Sequence, residues 1–279
     1  MQTFTTIHTL QATLNDWRSK GLKIAFVPTM GGLHDGHLSL VESAKQKADK
    51  VVVSIFVNPT QFGKGEDFDK YPNTLKQDKS LLVQHQVDGL FTPDAEQIYP
   101  TGFDSDIEVG EIANILCGAS RPGHFQGVVQ VVKRLFDIVK PNVAVFGQKD
   151  YQQLLIIQKM AMQFSPNVEI VSHPMLREDD GLAMSTRNQY LSVDERKTAP
   201  NLYKALLQIK QGFLKNQSVD TLKKQAQEML KQEFKLDYIE VLDANTLKQI
   251  TDNTSKIAIL CAVFIGSTRL IDNIIFNKG

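Results

Sequence analysis

The feature that most constrains this chain is a sustained alternation of short apolar runs with helical patterns between residues 22 and 172. Leu22 to Val27 predicts a buried strand, His37 to Ala48 an amphipathic helix, and Val51 to Val57 a second strand. That second run has no polar face, which suits a parallel strand covered on both sides. The rhythm continues with a helix at Thr74 to His85, a strand at Gly89 to Thr92, a helix at Gln126 to Val139 and a strand at Asn142 to Gly147. A helix at Tyr151 to Phe164 and a strand at Val168 to Ser172 complete it. Five strands separated by helices imply an α/β fold with a Rossmann-like, doubly wound parallel sheet.

The texture changes after His173-Pro174. A polar segment, Arg177 to Asn188, leads into lysine- and glutamine-rich helices at Asp194 to Leu214 and Ser218 to Phe234. Leu236 to Leu242 and two apolar runs, Lys256 to Ile265 and Arg269 to Phe276, follow, the last two split by the hairpin signal Gly266-Ser267. The expected organisation is a first domain over 1–175 and a smaller α+β carboxyl-terminal domain over 176–279 that acts as a lid.

Composition narrows the partners. Lysine plus arginine number 31 and aspartate plus glutamate number 31, with no run of like charge, so neither nucleic acid nor an anionic membrane surface is expected. The longest apolar stretch, Ile257 to Ile265, is about half of the ~18 residues that argue for a membrane span. No basic leader precedes Leu10, and the two cysteines, Cys117 and Cys261, lie far apart. A cytoplasmic location is expected.

In an open parallel sheet, ligands collect where the carboxyl ends of strands meet helix amino termini. The first such loop is Pro28-Thr29-Met30-Gly31-Gly32-Leu33-His34-Asp35-Gly36-His37. Its glycines let a phosphate approach the backbone, and histidines three apart face one side of a helix. A Walker A loop is excluded, because His37 and Leu38 stand where lysine and a hydroxyl are required. The loop is either a tight turn with one histidine capping the helix or an HxxH site donating hydrogen bonds to phosphates.

Four later segments carry similar chemistry. Asn58 and Gln61 supply amides suited to a polar substrate. Gly147-Gln148-Lys149-Asp150 offers close approach, a cation and a carboxylate for a cap or for ribose hydroxyls, with Gln153 one turn further on. Met184-Ser185-Thr186-Arg187 reads as a phosphate clamp or a polar hinge. Arg121-Pro122-Gly123-His124 reads as a mobile lid or a helix start.

In order and spacing, PTMGGLHDGH, FVNPTQF, YPNT, RPGHFQGV, FGQKDYQQL and DGLAMSTRNQYLS closely resemble the pantothenate synthetase family, within the wider HxxH nucleotidyltransferase-like fold. The resemblance runs from about residue 3 to the TRLIDNI segment. It implies ATP-dependent joining of pantoate to β-alanine through a pantoyl adenylate, with Mg²⁺ accompanying ATP and a homodimer built through the first domain. By that resemblance Met30, Gly31, Gly32, His34 and His37 line the ATP phosphate site, with His37 as catalytic acid and His34 beside it. Gln61 and Gln153 hold the pantoate hydroxyls and carboxylate, and Met30 covers its methyl groups. Gly147, Gln148, Lys149 and Asp150 contact ribose and phosphates, Leu176 touches adenine, and Met184, Ser185, Thr186 and Arg187 close over the triphosphate. Lys149 and Arg187 join the histidines in offsetting charge, and Asp78 helps hold Mg²⁺. Asn73 stands where the family often has arginine, Gln148 where glutamate is common and Thr186 where serine is frequent.

Two other functions fit parts of this pattern. An adenylyltransferase that places AMP on a phosphorylated precursor would release only pyrophosphate. A silent ATP-binding regulator would form no AMP.

Overall fold

The apolar runs pair as parallel strands. In the computed structural model, which describes residues 1–102 and 107–278, β1 (Gln2–Phe4), β2 (Ile24–Thr29), β3 (Lys50–Ile55), β4 (Gly89–Phe91), β5 (Val143–Gly147) and β6 (Glu169–His173) form a six-stranded sheet. Its order is β1-β4-β3-β2-β5-β6, and every pairing is parallel. The strand added to the expected five is β1, which pairs Gln2 with Gly89 and Phe4 with Phe91. Three residues are too few to establish a period in the sequence.

The helices interleaved with this sheet are α1 (Ile7–Ser19), α2 (Asp35–Lys45), α3 (Leu75–Gln84), the single turns α4 (Ala95–Ile98) and α5 (Cys117–Ser120), α6 (His124–Val139) and α7 (Tyr151–Phe164). One layer of core gathers Val27, Val53, Leu90 and Val145 from the strands with Leu33 and Val41 from α2 and its entry loop, and Leu82 from α3. Phe136 of α6 packs edge-on against both Phe26 and Phe146 at 6.4 and 6.3 Å, a favoured aromatic geometry. The sheet reverses its winding at β2, which has β3 on one side and β5 on the other. That places the loops after β2 and β5 at the topological switch point, where such sheets take their ligands.

The second part of the chain has its own core. Its helices are α8 (Val193–Thr198), α9 (Asn201–Leu214) and α10 (Val219–Leu230), and its antiparallel sheet runs β7 (Lys235–Asp243), β8 (Lys256–Ile265), β9 (Thr268–Asn277). The helix expected over Asp194 to Leu214 is two helices, because Pro200 lacks the N–H that would continue the first. Gly266 at φ 53° closes the β8–β9 turn, a backbone region glycine enters without strain. Leu202, Leu206 and Ile209 of α9 and Leu222 and Leu230 of α10 bury against Ile257, Ile259, Cys261 and Val263 of β8.

The chain divides into two compact units, Met1–Gln148 with Gln153–Pro174, and Lys149–Gln152 with Met175–Gly279. The four residues after Gln148 thus group with the second unit and not with the strand they follow.

Candidate active site

The loop after β2 is shaped from beneath. Gly31 and Gly32 hold φ of 82° and 63°, the left-handed region. Their turn is fixed by Asp78, whose carboxylate accepts from the Gly32 amide at 3.1 Å and the Leu33 amide at 2.9 Å. The Thr74 hydroxyl donates to the same carboxylate at 3.2 Å. Asp78 is fully buried on α3, and each of its oxygens accepts from a backbone amide and from Thr74. A carboxylate committed in this way fits a loop holder and not an open Mg²⁺ ligand. Among the described residues, no group of three or more His, Cys, Asp or Glu side chains could hold a metal ion.

His34 is the N-cap of α2 and His37 lies at its third position, and the two close a reciprocal capping box. The Gly36 amide donates to His34 Nδ1 at 3.1 Å, and the His34 amide donates to His37 Nδ1 at 3.4 Å. An imidazole nitrogen that accepts carries no proton, so in the neutral rings both protons reside on Nε2. Capping and donation are therefore compatible: each ring satisfies a helix-end amide with one nitrogen and keeps an N–H donor on the other. The rings lie side by side, centroids 4.2 Å apart, half-buried.

The turn after β3 presents Gln61. Asn58 is buried beneath it, and its Oδ1 accepts from the Tyr99 hydroxyl at 2.7 Å and from the Thr60 hydroxyl and amide. Its Nδ2 donates to Gln61 Oε1 at 3.2 Å and to the Gly127 carbonyl at 3.1 Å. Asn58, expected as a substrate contact, is thus spent on the turn, and it orients Gln61, whose Nε2 faces Met30 Sδ at 3.0 Å. Burial raises the Tyr99 hydroxyl above its ordinary range, keeping it a donor across neutral pH.

The Arg121 segment is the tight turn between α5 and α6, Arg121 closing the end of α5 and Gly123 preceding the first residue of α6, His124. Arg121 grips Glu66 through Nε and Nη2, both at 2.6 Å. His124 Nδ1 donates to the Gln61 carbonyl at 2.7 Å, which leaves Nε2 as acceptor from Arg121 Nη1 at 3.0 Å. Burial opposes the Glu66 charge, but the Arg121 guanidinium outweighs it and holds the carboxyl below the usual glutamate range. The sequence offers a mobile lid or a helix start for this segment but not the ion pair, because Glu66 lies fifty-five positions from Arg121 and gives no local signal.

After β5, Gly147 ends the strand and Gln148 Nε2 donates to the Ser172 hydroxyl at 2.9 Å. Gln153 lies half-buried in the first turn of α7.

In the second unit, Lys149 and Asp150 open a tight turn, with Lys149 Nζ 3.9 Å from Asp150 and Asp150 exposed. Leu176 and Met184 face each other across a short ladder, Met184 N–H to Leu176 carbonyl at 3.1 Å. Ser185 caps the following 3₁₀ turn, accepting from the Arg187 amide at 3.3 Å, and Thr186 and Arg187 lie half-buried on it.

A sequence profile of the Pantoate-beta-alanine ligase family matches residues 2–275. The pantothenate synthetase of Vesicomyosocius okutanii is 61% identical over 265 residues, covering 95% of this chain and 94% of its own. That of Carboxydothermus hydrogenoformans is 52% identical, with 99% of both chains covered. Among solved structures, the Thermus thermophilus pantothenate synthetase superposes with a TM-score of 0.92 at 44% identity, over 98% of this chain and 99% of that one. The pantoate-beta-alanine ligase of Francisella tularensis, complexed with beta-gamma ATP and beta-alanine, gives 0.82 at 39% identity, over 100% and 98%.

Proposed function

The chain belongs to the pantoate-beta-alanine ligase family, and from that premise we propose that it joins pantoate to β-alanine at the expense of ATP through a pantoyl adenylate. A carboxylate is a poor acyl donor because its leaving group would be oxide; adenylation replaces that with AMP. In the first step a pantoate carboxylate oxygen attacks the α-phosphorus and pyrophosphate leaves. In the second the β-alanine amine attacks the acyl carbon and AMP leaves.

The observation that carries this reading is the double capping of α2 by His34 and His37, which fixes two Nε2–H donors at the carboxyl end of β2. Donors held in advance where charge develops contribute more than the ~0.3–1 kcal/mol of a helix dipole alone. In this reading His37 is the catalytic acid and His34 shares the phosphate charge. Met30, Gly31 and Gly32 line the nucleotide path. Gln61 and Gln153 bind pantoate, with Asn58 holding Gln61 and Met30 against the methyl groups. Gly147 and Gln148 border the ribose. Lys149, Asp150, Leu176, Met184, Ser185, Thr186 and Arg187 contact the nucleotide, Lys149 and Arg187 as its cations.

Mg²⁺, on this reading, arrives on the ATP phosphates and supplies charge neutralisation there, since Asp78 does not fit as its ligand. We further propose a cytoplasmic protein with no nucleic-acid partner, which the two free buried cysteines and the balanced charge support, and a homodimer, which the family resemblance implies. Among the described residues no helix is long and apolar enough to cross a membrane.

The test is an ATP-consumption assay with pantoate, with and without β-alanine, following AMP and the amide product. Pantoate-dependent exchange of labelled pyrophosphate into ATP without β-alanine is the expected mark of the adenylate. AMP formation independent of pantoate would sink the reading, and light scattering in solution checks the dimer.

A further inference from the structure

Two adjacent residues of β9, Asp272 and Asn273, are polar yet almost fully buried, at 3% and 4% exposure. Burial of that kind is costly unless each group is satisfied, and here the partners point in an informative direction. Asp272 accepts both prongs of the Arg177 guanidinium at 2.8 Å and also the Asn273 amide at 2.6 Å. Arg177 goes on to donate to the Gly181 carbonyl at 3.0 Å and the Asn273 carbonyl at 3.1 Å, and it stacks on the Tyr203 ring at 3.6 Å. Arg177 also bridges Ala183 across the short ladder that ends at Met184. The Asn273 side chain reaches the other way, donating Nδ2 to the main-chain carbonyl of Lys149 at 2.9 Å. Two residues on, the Tyr151 hydroxyl donates to the Ala244 carbonyl at 3.0 Å.

A single dipeptide on the last strand therefore holds both the backbone of Lys149 and the stem leading into Met184–Arg187. Both segments belong to the same compact unit as the strand, so this registration is internal to that unit. A lysine is a flexible point charge; fixing its main chain shortens the range over which its ammonium wanders.

We propose that Asn273 and Asp272 are positioning residues for ATP: Asn273 sets Lys149 through its carbonyl, and Asp272, through Arg177, sets the stem that presents Met184 to Arg187. This inference rests on the reading of Lys149 and Arg187 as nucleotide contacts. Neither β9 residue need touch a substrate. Their effect is to give two chemically different phosphate contacts one common rigid reference, as second-layer hydrogen bonds do for a catalytic constellation.

The experiment compares the full-length wild-type chain with Asn273→Ala, Lys149→Ala and the double variant, measuring kcat and KM for ATP, pantoate and β-alanine, with melting curves. Asn273→Ala is expected to lower kcat/KM for ATP by about tenfold, the scale of one buried acceptor losing its donor. KM for pantoate and β-alanine is expected to stay within about twofold, and in the Lys149→Ala background the same substitution is expected to change ATP kinetics by less than about twofold. Equal losses in both backgrounds, or ATP kinetics within about twofold of wild type in the single variant, would overturn the proposal. If Asn273→Ala does not fold, Asn273→Leu, which keeps the volume and removes the donor, is held to the same outcomes. A wild-type chain that forms no pantothenate overturns the functional reading and this proposal with it; normal turnover with unmoved ATP kinetics overturns this proposal alone.

Discussion

The Leu33 amide donates to Asp78 Oδ1 at 2.9 Å, joining the loop after β2 to a carboxylate forty-five positions later. With Gly32 N–H on the other oxygen at 3.1 Å, Asp78 fixes the Gly32–Leu33 half of this turn, while the Thr29 hydroxyl accepts from the Gly31 amide at 3.2 Å. Asp78→Asn presents an NH₂ group to one of those amides. We expect a stability loss of ~1–3 kcal/mol, from an amide left facing a donor, together with a fall in kcat. The Mg²⁺ concentration for half-maximal rate should not move. A raised Mg²⁺ requirement at unchanged stability would instead make Asp78 a metal ligand.

One pair of substitutions separates the capping role of the two histidines from the phosphate-donor role proposed for them. Asparagine is among the best N-cap residues, so His34→Asn keeps an acceptor for the Gly36 amide while removing the Nε2–H. Its melting temperature should remain near wild type while turnover falls by ~10²-fold, the usual scale for losing one preorganised donor. His37→Ala should lose at least as much turnover and, in addition, ~0.5–2 kcal/mol of stability, because the His34 amide loses its acceptor. Near-normal turnover in either variant refutes the phosphate-donor role.

Much of this was legible in the sequence because it is local. The apolar runs from Ile24 to His173 place five of the six parallel strands, and the HxxH spacing at a strand-to-helix turn already puts both rings on one side. What was not legible is reciprocal or long-range. The box between His34 and His37 escapes the usual pattern, which expects a hydroxyl or carboxylate at the cap and Glu or Gln three later. Asn58 looks like a substrate amide from its neighbours alone; one of its hydrogen-bond partners, Tyr99, lies forty-one positions on. The link from Asn273 to Lys149 spans one hundred and twenty-four positions and has no periodic signature.

The Arg121–Glu66 pair yields a prediction in pH. Glu66 has its folded carboxyl held below the ordinary value, burial opposing and Arg121 prevailing. A depressed acid contributes stability that is present above its unfolded pKa, near 4.5, and lost as pH falls through the folded value. The wild type should therefore lose melting temperature more steeply than Glu66→Gln as pH drops below about 4.5. Because Arg121 and His124 both meet the Gln61 carbonyl, Glu66→Gln should also raise KM for pantoate at neutral pH. Parallel acid limbs for the two proteins would remove Glu66 from the account.

Gly127 and Gly147 offer the sharpest contrast between a glycine that packing requires and one around which packing leaves room. A methyl group on Gly127 would fall against the Thr60 carbonyl and 2.7 Å from the Gln61 nitrogen, all of it backbone. Main chain cannot swing aside like a side-chain tip, so Gly127→Ala must push α6 from the turn that carries Asn58 and Gln61. Overpacking of this sort costs ~1–3 kcal/mol, and here it should appear with a raised KM for pantoate and a nearly unchanged KM for ATP. A methyl group on Gly147 would meet only Leu40 Cδ2 at 3.8 Å, ordinary contact distance. Gly147→Ala should therefore melt like the wild type, yet raise KM for ATP if the nucleotide passes close over this strand end. Were Gly147→Ala to leave ATP kinetics untouched, the role of glycine there would be conformational convenience and the nucleotide path would lie elsewhere on the loop.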